Sequence, residues 1–73
     1  MMIYVYCSQV GIFRIYPSRG RFQLEMAGNI YGSYHSAVAA ADDVFRHVTG
    51  FDAWDRLDGK IEGPRDLSEW TLE

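Results

Sequence analysis

Two histidines, one cysteine and ten carboxylate side chains are the groups of this 73-residue chain that could do acid-base, nucleophilic or metal chemistry. Asp43 and His47 stand four apart, so on a helix an acid-base pair is geometrically available. No nucleophile lies near them in sequence, and the pair reads as a solvated contact on an exposed helix face. His35 beside Ser36 could meet an anion but reads as a residue of a helix entry. Cys7 sits among strand residues and reads as an inert, half-buried thiol, since nothing adjacent would lower its pKa. One cysteine makes no internal disulfide, and with only His35 and His47 it does not complete a four-ligand zinc site. Asp52, Asp55, Asp58 and Glu62 lack the dense order of a calcium loop. Gly20, Gly28 and Gly32 compose no phosphate loop; each is explained by a turn or by close packing. The chain is therefore expected to have no catalytic residues, no cofactor and no metal.

One constellation remains. Arg14, Tyr16, Arg21 and Gln23, with Arg19 at a turn, fall on the outward positions of two strands. Guanidinium groups suit phosphates and guanine edges, Gln suits adenine, and a narrow sheet fits the major groove. Against this stand nine carboxylates in the second half of the chain, because non-specific affinity for DNA is largely a count of cations. Tyr4, Tyr6 and Tyr16 are the alternative set, aromatic side chains expected on an exposed surface where a protein partner could dock.

The elements that must carry these residues are legible. Residues 2–7, Met-Ile-Tyr-Val-Tyr-Cys, read as a strand whose pairing partner is open. Residues 12–16 alternate, placing Phe13 and Ile15 on one face and Ile12, Arg14 and Tyr16 on the other. Pro17-Ser18-Arg19-Gly20 turns the chain. Residues 21–26 then place Phe22, Leu24 and Met26 inward and Arg21, Gln23 and Glu25 outward. Gly28-Asn29 signals a hairpin into a third strand over residues 30–34. A two-residue loop would turn Tyr31 and Ser33 to the core, a three-residue loop Ile30, Gly32 and Tyr34; the second is favoured because it buries more apolar surface.

Ser36 is the expected N-cap of a helix ending near Thr49 with Gly50 beyond it. Val38, Ala41, Val44, Phe45 and Val48 form its apolar stripe, while Asp42, Asp43, Arg46 and His47 look outward. Phe22, Leu24, Val38, Ala41 and Phe45 are the expected core between sheet and helix. Residues 51–57 offer one or two helical turns capped by Asp52 and anchored by Phe51, Trp54 and Leu57. Residues 63–70 offer a last short helix that docks Leu67 and Trp70. The fold class is thus α+β: a three- or four-stranded antiparallel sheet packed on one α-helix (β-β-β-α), with a short helical C-terminal tail docked by tryptophans, in a single domain spanning residues 1–73.

Composition sets the remaining bounds. With 48% hydrophobic and 15% aromatic residues the chain can build a core, though at this length that core is marginal. The uncharged run Met1 to Phe13 has no basic flank and is too short to span a bilayer, so no membrane and a cytoplasmic location are expected. The net charge of −3 divides unevenly, about +2 over residues 1–36 and −5 over residues 37–73.

The helix entry Tyr31-Gly32-Ser33-Tyr34-His35-Ser36-Ala37-Val38-Ala39-Ala40-Ala41 is similar to the L-G-T-F-x-T-x-E-E-A-A pattern of plant ethylene-response-factor DNA-binding domains and phage-type integrase arm-binding domains. That resemblance, over residues 12–47, implies a three-stranded sheet followed by a helix, with Arg14, Arg21 and Gln23 facing DNA. The layout also resembles small bacterial β-β-β-α domains of unknown function, in which Gly32, Tyr34, Ser36, Ala40 and Asp43 would serve packing and capping. The chain is expected to be a non-catalytic bacterial or phage-type protein-interaction module with an unknown protein partner, as a monomer or small homo-oligomer. The alternative is a DNA-binding domain that uses its sheet face, with Arg14, Arg19, Arg21 and Gln23 as contacts. A coherent positive sheet face would favour DNA, a mixed or apolar one a protein.

Overall fold

Period-two alternation sets the sheet. In the computed structural model, which describes residues 2–73, strands β1 (Tyr4–Ser8), β2 (Gly11–Ser18), β3 (Arg21–Met26) and β4 (Asn29–Tyr34) form an antiparallel meander. Helix α1 (Ala37–Phe45), the short helix α2 (Asp52–Asp55), a 3-10 turn (Leu67–Glu69) and strand β5 (Thr71–Leu72) follow. Met1, at the head of the uncharged run, lies outside the described residues.

The sheet has five strands in the order β4-β3-β2-β1-β5, where sequence reading gave three or four. The partner of β1 is β2 on one side and β5 on the other. A two-residue strand has no period to read. It exists because the folded tail brings Thr71 opposite Val5, and Glu73 N–H donates to the Ile3 carbonyl at 2.7 Å.

All three hairpins of the meander close on two-residue loops, and in two of them, Arg19-Gly20 and Ala27-Gly28, the four φ angles are all positive (53°, 77°, 54° and 82°). Such pairs match the twist of the flanking strands. The Ala27-Gly28 loop therefore sits one residue earlier than Gly28-Asn29. A β-bulge between Leu24 and Glu25 on the β3–β4 ladder then shifts the register. Gly32 and Tyr34 lie opposite Leu24 and Phe22 on the core side, as favoured, but Ile30 pairs with Glu25 and is 51% exposed. Tyr31 instead packs on the core, its ring 5.3 Å from that of Phe51. The bulge lets one strand satisfy parts of both expected facings.

Ser36 caps α1, its hydroxyl accepting from the Ala39 N–H at 3.1 Å. The buried face of α1 is Ala37, Ala40, Ala41 and Val44, packed on Phe13, Ile15, Leu24 and Met26. Phe22 is only partly buried, and Val38 and Phe45 are 65% and 37% exposed, so three of the five expected core residues are corrected. Alanines bring the helix axis close to the sheet, and the larger side chains are rotated outward to permit that approach. Val48 is likewise exposed.

Helix α1 ends four residues early. Arg46 is its C-cap, His47 adopts φ +57°, and the N–H groups of His47 and Val48 return to the carbonyls of Val44 and Asp43. This is a Schellman closure with histidine at the left-handed position usually held by glycine. The Trp54 indole N–H donates to the same Val44 carbonyl at 2.9 Å. A tertiary contact therefore secures a helix end that sequence spacing extends further.

The tail folds back. Trp54 is fully buried, and Trp70 and Pro64 are buried too. Asp52 does not cap α2; instead the Asp55 carboxylate accepts from the backbone N–H groups of Thr49 and Gly50, while the Thr49 hydroxyl accepts from Phe51 N–H. The expected last helix shrinks to the 3-10 turn, whose N-cap Asp66 accepts from Ser68 N–H. Among the described residues no helix is long and apolar enough to cross a membrane.

Candidate interaction surface

Helix α1 and the tail cover one face of the sheet and leave the other open. Strand alternation assigns the open face directly. One row runs across four strands as Val5, Arg14, Glu25 and Ile30, each the register partner of the next. A second row holds Tyr16, Gln23 and Ser33, and Cys7 pairs with Ile12 at one end. Ile12 and Ile30 are 45% and 51% exposed, and Cys7 is exposed.

The four candidate DNA contacts stand in different settings. Arg14 and Gln23 stand on the two central strands of the meander, but Arg14 has Glu25 directly opposite. Arg21 is held by Ser33, donating from Nε to the hydroxyl at 2.7 Å and from Nη2 to the carbonyl at 2.9 Å. Arg19 occupies the loop beyond the strand ends. Arg14 and Glu25 form no ion pair with each other or with any other described residue.

Of the three candidate tyrosines, only Tyr16 is on the open face. Tyr4 and Tyr6 point to the covered face and pack on the core. The Tyr6 ring lies 5.5 Å from Trp70 and 6.2 Å from Trp54, and burial, then the Glu69 charge, push its phenol up. Alternation puts Tyr4 and Tyr6 on one face, and the β1–β2 register, which sequence spacing does not supply, makes that face the covered one by setting Tyr6 opposite the buried Phe13.

His47 and Asp43 part company. His47 is buried, not outward; its ring stacks on Trp54 at 4.5 Å with planes 12° apart, and its Nδ1 is 3.9 Å from the carboxylate of Asp58. Its Nε2 has no hydrogen-bond partner. Asp43 instead accepts from the Tyr34 hydroxyl at 2.9 Å, and burial, followed by that bond and the Asp43 charge, raises the Tyr34 phenol well above the ordinary tyrosine range. Beside His47 an open cleft of about 400 Å³ is lined by Phe45, Asp58, Lys60, Ile61 and Glu62. The left-handed backbone at His47 is the feature that turns its ring inward, and spacing on an ideal helix gives no sign of it.

Comparison with protein-family models, with curated proteins and with solved structures finds no match to this chain.

Proposed function

We propose that the chain is a non-catalytic protein-interaction module whose partner docks on the open face of the sheet. The observation that carries this reading is the composition of that face. Exposed Ile12 and Ile30 flank the cation Arg14 and the anion Glu25, set side by side, with Arg21 at the far end of the same face. Apolar area with a few fixed charges suits a protein surface. A polyanion gains from accumulated cations, and here Glu25 offsets one arginine while Ser33 engages another.

DNA binding by Arg14, Arg19, Arg21 and Gln23 is the competing reading, and one probe addresses both. Cys7 is the chain's only thiol and lies exposed at the margin of the open face. Its alkylation rate should fall when a protein occupies that face, Ile12→Asp should restore the rate, and duplex DNA at physiological salt should leave it unchanged. Submicromolar DNA binding that is lost on replacing Arg14 and Arg21 together, with a salt slope reduced by about two, would reverse the assignment.

A further inference from the structure

We infer that the occupant of the open sheet face is a second copy of the chain, packed face to face about a two-fold axis that runs along the strands between β2 and β3. This rests on the protein-binding reading above and adds the partner's identity. The row Val5, Arg14, Glu25, Ile30 is complementary to its own reverse: apolar, cation, anion, apolar, so that reversal sets cation against anion and apolar against apolar. Its midpoint is the β2–β3 boundary, which is also the midline of the four-stranded meander.

Rotation about that midline exchanges β2 with β3 and β1 with β4. Arg14 then meets Glu25 of the partner subunit, Glu25 meets the partner's Arg14, and Val5 and Ile30 meet the partner's Ile30 and the partner's Val5. In the next row Tyr16 faces Gln23 of the partner subunit, so phenol and amide can hydrogen-bond. The contact is isologous, with each patch its own complement. Aligned sheets pack about 10 Å apart, within about 30° of parallel, which keeps a central row in register. Within one chain Arg14 and Glu25 are neighbours without an ion pair; across the interface each gains an opposite charge.

The footprint sets the strength. Four strands at about 4.8 Å spacing and roughly six residues at 3.4 Å give a patch of about 20 by 20 Å. Two such patches bury on the order of 1,000 Å², the lower bound for a specific interface. A contact of that size fits a weak, reversible dimer that dissociates on dilution.

The test is sedimentation of the full chain from low micromolar to roughly millimolar concentration, with circular dichroism confirming that each variant is folded. Wild type should shift from monomer to dimer. Arg14→Glu alone and Glu25→Arg alone should each weaken association at least tenfold, because like charges then meet across the axis. An equimolar mixture of these two variants should regain the dimer, since every cross-axis pair becomes opposite in sign. Should a reversal unfold the sheet, Ile30→Lys at an already exposed position should also give a monomer. Wild type that stays monomeric, a dimer indifferent to the reversals, or a mixture that fails to associate overturns the proposal. A monomer whose Cys7 is still protected by another protein sinks self-association alone and leaves the protein-binding reading standing.

Discussion

At the scale of single residues the informative positions are those whose surroundings contradict their type. His47 is a β-carbon-bearing residue in left-handed backbone, a conformation that costs on the order of 1 kcal/mol, yet it is buried against Trp54. The stack and the Schellman closure offset that strain. Glycine at this position would relax the backbone but remove the ring. We therefore expect His47→Gly to destabilise the fold despite the easier φ, by roughly 1–2 kcal/mol in a denaturant titration; a gain in stability would show that backbone strain outweighs the stack. Tyr34, together with Tyr6, contributes an alkaline pH dependence. The Tyr34 phenol titrates higher when folded than in the unfolded chain, where it loses its proton near 10. Folding thus favours the protonated phenol, so this contribution is whole below about pH 10 and declines as pH rises through the folded value. Tyr34→Phe should cost about 1 kcal/mol at neutral pH and make the alkaline fall in stability shallower. An identical alkaline slope in both proteins would remove Tyr34 as a source.

At the scale of elements, α1 shows what the sequence conveys and where it stops. Alternation in β2 and β3, the Ser36 cap and the docking of Trp54 and Trp70 were legible, because each depends on local period or on apolar area too large to leave in water. The rotation of α1 was not. Val38, Phe45 and Val48 are more hydrophobic than the alanines, and a stripe drawn by hydrophobicity follows them. Close approach to a sheet instead selects small side chains at the contact, and Ala40, Ala41 and Val44 win it. The candidate site was legible in residue type for Arg14, Tyr16 and Gln23. The Arg14–Glu25 juxtaposition was hidden because cross-strand register, not spacing, creates it. Val44→Ala should accordingly lower stability by about 2–3 kcal/mol, whereas Val38→Ala should change it by less than about 0.5. Thermal melts of the pair check the rotation, and a large loss for Val38→Ala would refute it.

For the whole molecule, the tail completes the core. Gly63 passes so close to α1 that an added Cβ would lie 3.1 Å from the Val44 carbonyl oxygen and 3.1 Å from the Phe45 Cα. Pro64 and Trp70 are buried, and β5 adds the fifth strand beside β1. A domain this small has little stability to spare. Deleting residues 62–73 is expected to abolish a cooperative thermal transition, and Gly63→Ala to lower the melting temperature, since backbone atoms have little room to yield. An unchanged melt after the deletion would mean that the tail merely rests on the surface.

The burial of both tryptophans at separate places in the tail has an optical consequence. Trp54 lies under the end of α1 and Trp70 against Tyr6 beside β5. They are the chain's only indoles. Trp54→Phe leaves Trp70 to report whether the last strand is seated, and Trp70→Phe leaves Trp54 to report the helix end. If the final segment detaches before the rest unfolds, the emission of the first variant will redden while that of the second stays blue. Each indole thus gives an intrinsic fluorescence signal for one step, and neither is on the open face, so light from this molecule tracks its folding without registering what docks on the other side.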